Sequence, residues 1–307
     1  MRRELIAIPV YLIIFLLALD CAAGQVSESF VDDLGRNVSI NGTAERIVSL
    51  SPSNTEILFA LGLEDRIVGV TSYCNYPPQI EELKKSGKLT VVGGYKDPDL
   101  EKIMSLHPDL VLGSKIHSDN VIPGLEKSGI AVFAVNSVNL STMLSTILKV
   151  GEITGKKTQA TDLIDRMQSR ISEVKNKVGS LPEKRVFYLL WHDPLQTAGI
   201  DTVQDEIIEM AGGENIFHDL SGYPRIDAEA IVERDPEIII TGRGMGEKRD
   251  ATLNWAKDEE IINDTKAREN GCIYQIEGDL MTRAGPRIVD GLEELARIIH
   301  PEAYSLS

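Results

Sequence analysis

The side chains with most chemistry to offer stand in short polar segments that follow apolar runs. Tyr73 and Tyr76 come just after Ile67–Val70, and Tyr95 follows Val91-Val92-Gly93. Trp191 and His192 follow Val186–Leu190. Tyr223, Asp279 and Arg283 lie further along, before the last apolar stretch. Aromatic walls bury a large, flat ligand with few rotatable bonds to freeze. An arginine among them suits a carboxylate, phosphate or amide edge of such a ligand. The imidazole of His192 is a common type of metal ligand, and the thiol of Cys74 is a soft one, but a lone loop histidine or cysteine more often does neither. The plain alternative for each tyrosine is half-buried loop packing, and for Arg283 a turn cap or a pair with Asp279. No catalytic constellation accompanies these residues. The chain lacks a Walker-type phosphate loop, His-Glu-x-x-His and Gly-x-Ser-x-Gly. Gly242-x-Gly244-x-Gly246 follows a strand but lacks the dinucleotide spacing, so it reads as a flexible loop. A binding protein, not an enzyme, is the simpler expectation.

The elements that must position these residues are legible in part. Ile47–Leu50 is a short apolar run of buried-strand type. Ser51-Pro52-Ser53-Asn54 then supplies cap oxygens and a helix-start proline. Ile57, Leu58 and Leu61 repeat at helical spacing, Gly62 ends the helix, and Ile67–Val70 is the next strand. In an open α/β sheet, ligands bind beyond the carboxyl ends of such strands. Upstream, Phe30–Ile40 reads as a hairpin turning at Asp33-Leu34-Gly35. Downstream, the helix Leu100–Leu106, the break His107-Pro108-Asp109 and the strand Leu110–Leu112 continue the alternation. A helix closing at Gly129 leads to the strand Ala131–Val135, a pattern of parallel βα units.

From Lys156 to Val178 the period changes. Leu163, Met167, Ile171, Val174 and Val178 recur every three or four residues among charged ones. This predicts one amphipathic helix of about 23 residues, roughly 35 Å long. A coiled coil would show the same stripe, but α/β sequence flanks it, so an inter-lobe strut is preferred. Beyond it the scheme repeats: a strand at Val186–Leu190, then a loop, then a helix at Val203–Met210. The turn Asp235-Pro236, the strands Ile238–Ile240 and Cys272–Gln275 and a closing helix Pro286–Ile299 follow. LHPDLVL and RDPEIII are matching turns of the two halves. The expected fold is α/β, with two Rossmann-like lobes joined by a single long α-helix and a ligand cleft between the lobes. Residues 24–155 form the first lobe, 156–180 the connecting helix and 181–307 the second lobe.

The first 23 residues read as a signal peptide or lipoprotein leader. Arg2 and Arg3 precede an apolar run from Leu5 to Leu19, too short for a membrane span of roughly 20 residues. Cleavage after Ala23 would release the protein, and lipidation of Cys21 would anchor it, although Asp20 is a poor residue before a lipoprotein cysteine. The net charge is −15 and stays so without residues 1–20. That argues against nucleic acid as a partner and leaves the membrane as a partner only through the N-terminal anchor. The same acidity also serves plain solubility. Cys74 and Cys272 show no metal-binding spacing and are expected to be free thiols. Asn37, Asn41, Asn139 and Asn263 head glycosylation sequons, relevant only where exported proteins are glycosylated.

The segments SLSPSNTE, TSYCNYPPQ, LEKIMSLHPDLV, GGENIF, ERDPEIII and RAGPRIV are individually weak, but their order is specific. From about Arg46 to His300 the chain resembles the class of ABC-transporter substrate-binding proteins with a helical backbone, which capture cobalamin, ferric siderophores, haem and related chelates. It is most like the vitamin B12-binding members. The resemblance implies an exported protein, periplasmic or at the cell surface, that delivers a corrinoid such as cobalamin to ABC permease subunits. A ferric siderophore or haem is the alternative, with Lys96, Lys115, Arg225, Arg243 and Arg283 as candidate basic groups. A monomer is expected, with no resident cofactor and no metal site. Tyr95 and Tyr223 match aromatic cleft positions of the class, Arg283 and Asp279 match ligand-contacting ones, and Tyr76 and Tyr73 fall in its aromatic loop. Glu101 and Glu229, each at a helix start, match the glutamates that pair with permease arginines, although the helix dipole favours such glutamates anyway. The chain also departs from the class. A tryptophan expected near Ser114-Lys115 and an aromatic expected near Gln196 are missing, so the aromatic cage is partly rebuilt. A bare zinc or manganese carrier would need about three converging ligands, whereas His107, His117, His192, His218 and His300 are scattered. An exported enzyme or chelatase has no residue pattern in its favour.

Overall fold

The computed structural model describes residues 27–244 and 250–305. The leader, Cys21 and Gly246 therefore lie outside the described residues. Strands β1 (Ser27–Val31) and β2 (Asn37–Asn41) form an antiparallel hairpin, with Phe30 opposite Val38. The Asp32 carboxylate closes its turn by accepting from the amides of Leu34 and Arg36 at 3.0 and 2.9 Å.

The first lobe is built on strands β3 (Ile47–Ser49), β4 (Ile67–Val70), β5 (Thr90–Val91), β6 (Leu110–Ser114) and β7 (Val132–Val135). They are all parallel, in the order β5-β4-β3-β6-β7. Helices α1 (Pro52–Ala60), α2 (Gln79–Lys85), α3 (Leu100–Ser105) and α4 (Val121–Glu126) connect them. Every residue of β3 and β7 is buried. That burial on both faces explains why these strands read as unbroken apolar runs rather than as alternation. At Gly69 of β4 a methyl group would come within 2.8 Å of Leu106 Cδ1, so the glycine lets α3 pack down on the sheet.

Helices α5 (Leu140–Ile153) and α6 (Lys157–Val178) follow. Helix α6 lies where the amphipathic stripe predicts it, with Leu163, Met167, Val174 and Val178 buried and Ile171 half-buried. It follows α5, against which it packs on one side, and leads into the first strand of the second sheet. Its other neighbours are α7 (Val203–Met210) and α12 (Ile288–Ile299). Arg170 pins it to α12 through Asp290 at 2.6 Å and Glu293 at 2.8 Å.

The second lobe carries β8 (Lys184–His192), β9 (Leu195–Thr197), β10 (Gly213–Asn215), β11 (Ile238–Arg243) and β12 (Ile273–Glu277). The parallel order is β10-β8-β11-β12, and β9 folds back antiparallel on the end of β8. Helices α8 (Ala228–Arg234), α9 (Ala251–Asp258), α10 (Lys266–Glu269) and α11 (Gly278–Thr282) complete it. Trp191 and His192, expected in a loop, instead end β8. The strand continues because β9 covers its edge, with His192 opposite Leu195. No helix among the described residues is long and apolar enough to cross a membrane.

Candidate functional site

In the first sheet the chain runs outward from β3 to β5, then returns to the other side of β3 for β6 and β7. The strand order therefore reverses between β3 and β6, and a crevice opens beyond their carboxyl ends. A cavity of about 640 Å³ lies there. Ser51, Ser53 and Asn54 from the start of α1 and Ser114 to Ile116 beyond β6 form its floor. Asn136 and Ser137 follow β7, and Tyr73, Tyr95 and Lys96 stand at the sides. The second lobe closes it with Thr282, Arg283 and Ala284.

Local chemistry fixes this wall. Ser51 caps α1 by accepting from the Asn54 amide at 3.2 Å. The Asn54 side chain donates to the carbonyls of Leu112 and Gly113 at 3.1 and 3.0 Å, tying α1 to β6. Its oxygen is buried without a partner among the described residues. His117 is wholly buried. Its Nδ1 accepts from the Ser114 amide at 2.9 Å, so Nε2 carries the hydrogen and donates to the Tyr95 carbonyl at 2.7 Å. Burial holds its imidazole below the ordinary histidine range, against a smaller opposing effect of the Tyr95 bond. One neutral ring thus joins the two loops that carry Tyr95 and Lys115.

Arg283 crosses between the lobes. Its Nη1 donates to Glu56 Oε1 at 3.1 Å and Asn75 Oδ1 at 2.7 Å, and its Nη2 meets Asp279 Oδ2 at 2.8 Å. Arg287 holds the same glutamate from Nε at 3.0 Å and Nη2 at 2.7 Å. Its guanidinium also stacks 3.7 Å from the centre of the Tyr76 ring. The Glu56 side chain is only 2% exposed, so a buried carboxylate of one lobe grips two arginines of the other.

The sequence-derived residues divide accordingly. Tyr73, Tyr95 and Arg283 line the cavity together. Tyr76 lies under Arg287, and Asp279 pairs with Arg283, one step behind the wall. Trp191 and His192 stack on each other with ring centres 4.9 Å apart at the carboxyl end of β8, and Trp191 Nε1 donates to the Asp193 carbonyl at 2.6 Å. Tyr223 donates to Gln204 Oε1 at 3.1 Å. None of these last three borders the cavity. Cys74 is buried beneath it against Thr55 and Thr71, and both Cys74 and Cys272 are free thiols. Glu101 and Glu229 stand exposed in the first turns of α3 and α8. They make no ion pair among the described residues.

Sequence reasoning missed Glu56, Asn75, Arg287, His117 and the polar floor. Glu56 was the one charge inside the apolar stretch of α1, and Arg287 stands in the same motif as Arg283. Both were visible signals.

Two α/β sheets with parallel cores, joined through helices α5 and α6 rather than through a single helix, with a polar crevice at a switch point closed by the opposite lobe, define a two-lobe ligand-binding protein. Residues 47–280 match the model of a family described as periplasmic binding protein, and the chain belongs to that family. It is 35% identical over 301 residues to YvrC, an uncharacterized ABC transporter substrate-binding lipoprotein of Bacillus subtilis strain 168, covering 93% of this chain and 90% of that one. It is 26% identical over 256 residues to a vitamin B12-binding protein of Yersinia pestis, covering 83% of this chain and 86% of that one. A periplasmic heme binding protein of Pseudomonas aeruginosa superposes with a TM-score of 0.76 at 25% identity, over 86% of this chain and 95% of that one. The protein is the substrate-binding component of an ABC transporter, a carrier rather than an enzyme.

Proposed function

We propose that this protein captures a corrinoid, cobalamin in the first instance, outside the cytoplasmic membrane and delivers it to its permease. The observation that carries this reading is the make-up of the crevice floor. Asn54, Asn136 and four serines, with Tyr73 and Tyr95 beside them, offer neutral donors and acceptors over one wide surface. A corrinoid is a flat macrocycle with amide arms around its rim. It needs such groups more than it needs charge. The similarity to a vitamin B12-binding protein supports the same reading. Arg283, with Asp279 fixing its fork, serves as the cleft group from the second lobe. Tyr76, stacked under Arg287, supports this side of the cleft, while Trp191, His192 and Tyr223 stand outside the cavity wall.

A second reading, an anionic iron chelate or haem, is favoured by Lys96 and Lys115 in the cavity lining and by the likeness to a heme binding protein. Calorimetric titration of residues 24–307 with cyanocobalamin, haemin and a ferric siderophore separates the two. One-to-one binding of cyanocobalamin alone, weakened at least about tenfold by Tyr95→Ala, is expected, since aromatic contacts of this kind carry much of a site's energy. Haemin or siderophore binding without cobalamin binding would transfer the cleft to the second reading.

Docking on the permease is assigned to Glu101 and Glu229. Each stands two positions after a capping aspartate, on the surface of its own lobe.

A further inference from the structure

Outside the cleft, the second lobe gathers a donor set that the sequence scatters. Asp205 and Glu209 lie one turn apart on α7, which places both carboxylates on one face. The segment after β10 brings His218 over them. Its Nδ1 stands 3.0 Å from Asp205 Oδ2 and 3.0 Å from Glu209 Oε1. One ligand atom from each residue lies within 4.8 Å of the others. Asp205 is nearly buried, and its second oxygen accepts from Asn215 Nδ2 at 2.6 Å, an outer bond of the kind that orients a metal-binding carboxylate. Glu209 and His218 are half exposed, which leaves room for water as a further ligand.

The charge is unbalanced in the same place. Asp205, Glu206 and Glu209 stand together on α7, and Glu183 is close enough for its charge to be felt at Glu209. None of these four carboxylates makes an ion pair with a lysine or arginine among the described residues. A single imidazole faces them.

We infer that Asp205, Glu209 and His218 form a site for a divalent first-row transition ion, with zinc as its most suitable occupant. Two carboxylates and a neutral imidazole match the charge of such an ion, and the mixed oxygen and nitrogen set suits borderline ions over calcium or magnesium. The ion takes the place of the contacts that His218 Nδ1 makes with the two carboxylates, and the neutral ring then keeps its hydrogen on Nε2. Its effect is on α7. That helix also carries Gln204, which holds Tyr223 and the Met281 carbonyl, and Glu206, whose Oε2 accepts from the Leu140 amide of α5 at 2.7 Å. An ion that ties α7 to the segment after β10 therefore stiffens the element from which the second lobe reaches the cleft and α5. None of the three ligands borders the cavity, so this ion is separate from the cargo.

The test is a zinc titration of residues 24–307 against a competing chromophoric chelator, paired with thermal unfolding and with cobalt(II) absorption. The native protein is expected to take one equivalent and to gain on the order of 5 °C in Tm at about one hundred times Kd. His218→Ala and Glu209→Gln change half-exposed side chains and should fold as judged by circular dichroism. Each is expected to weaken binding by about tenfold or more and to lose the cobalt ligand-field band. His107→Ala, an exposed histidine elsewhere, is expected to leave both unchanged. Equal zinc uptake in the native protein and both site variants, or no uptake at about a thousandfold above micromolar affinity, would reduce the cluster to an ion pair and overturn the inference.

Discussion

At the scale of single residues, a buried histidine braces the wall of the cavity. His117 is neutral, accepts from Ser114 and donates to Tyr95. Protonation would place a hydrogen on Nδ1 facing the Ser114 amide and would break that bond. Its folded value lies below the ordinary 6.5, chiefly through burial. The unfolded chain therefore binds more protons as pH falls through and below 6.5, and linkage makes stability fall in that window. The contribution is full above the ordinary value and is lost as pH drops toward the folded value. Urea denaturation from about one unit above 6.5 to about one unit below should show a steeper loss for the native protein than for His117→Gln. Parallel slopes would remove His117 from the account. The cavity-lining tyrosines were legible in the sequence because they follow strands, and Arg283 through the family resemblance, since it ends helix α11 rather than a strand. His117 was not, since one residue in a turn says nothing of a carbonyl twenty-odd positions earlier in the chain. Tyr223 looked equivalent to Tyr95, but its hydroxyl is turned to Gln204 on α7, a contact set by packing rather than by spacing.

At the scale of elements, helix α1 meets the α11–α12 corner through one carboxylate. Glu56 satisfies Arg283 and Arg287 at once, with all three side chains at most 16% exposed. Breaking such a group by removing one partner leaves charge buried and unpaired, which costs about 3–5 kcal/mol. Glu56→Gln should lower the free energy of unfolding by about that amount in urea, with cleft binding weakened as Arg283 loses its fixed orientation. A loss below about 1 kcal/mol would mark the cluster as an ordinary surface pair. The core strands and α6 were readable because burial on two faces, or on one stripe, imposes its own period, whereas the three-residue strands β9 and β10 were not. Helix α5 was readable in principle and was missed. Leu140, Met143, Ile147 and Val150 carry the spacing, and Asn139 caps it by accepting from the Thr142 amide at 2.8 Å. Trp191 and His192 were misplaced for a different reason. The edge cover that β9 gives β8 depends on a turn at Asp193-Pro194, and that turn looked like the end of a strand.

At the scale of the whole molecule, the two lobes repeat one plan down to single bonds. His107 and Asp235 both take left-handed backbone, with φ of 47° and 40°, at the end of α3 and α8. Two residues later, the amides of Asp109 and Glu237 donate to the carbonyls of Arg46 and Arg185, both at 2.8 Å. The caps match as well, Asp99 accepting from the Lys102 amide at 3.0 Å and Asp227 from the Ala230 amide at 2.8 Å. Glu101 and Glu229 therefore occupy the same position in the two halves, each free of ion pairs among the described residues. This equivalence is what a permease with two like subunits would grip, and within the chain the charge of each glutamate serves only the start of its own short helix. Replacing both by arginine should leave ligand titration of the free protein within about twofold, because surface substitutions of this kind seldom exceed ±0.5 kcal/mol. Ligand-stimulated ATP hydrolysis by the reconstituted transporter should be lost, since like charges placed across an interface cost several kcal/mol. The single variants test the symmetry itself. If both lobes dock, Glu101→Arg and Glu229→Arg each impair stimulation and the double variant abolishes it. Stimulation that survives the double variant would assign docking to other surface residues.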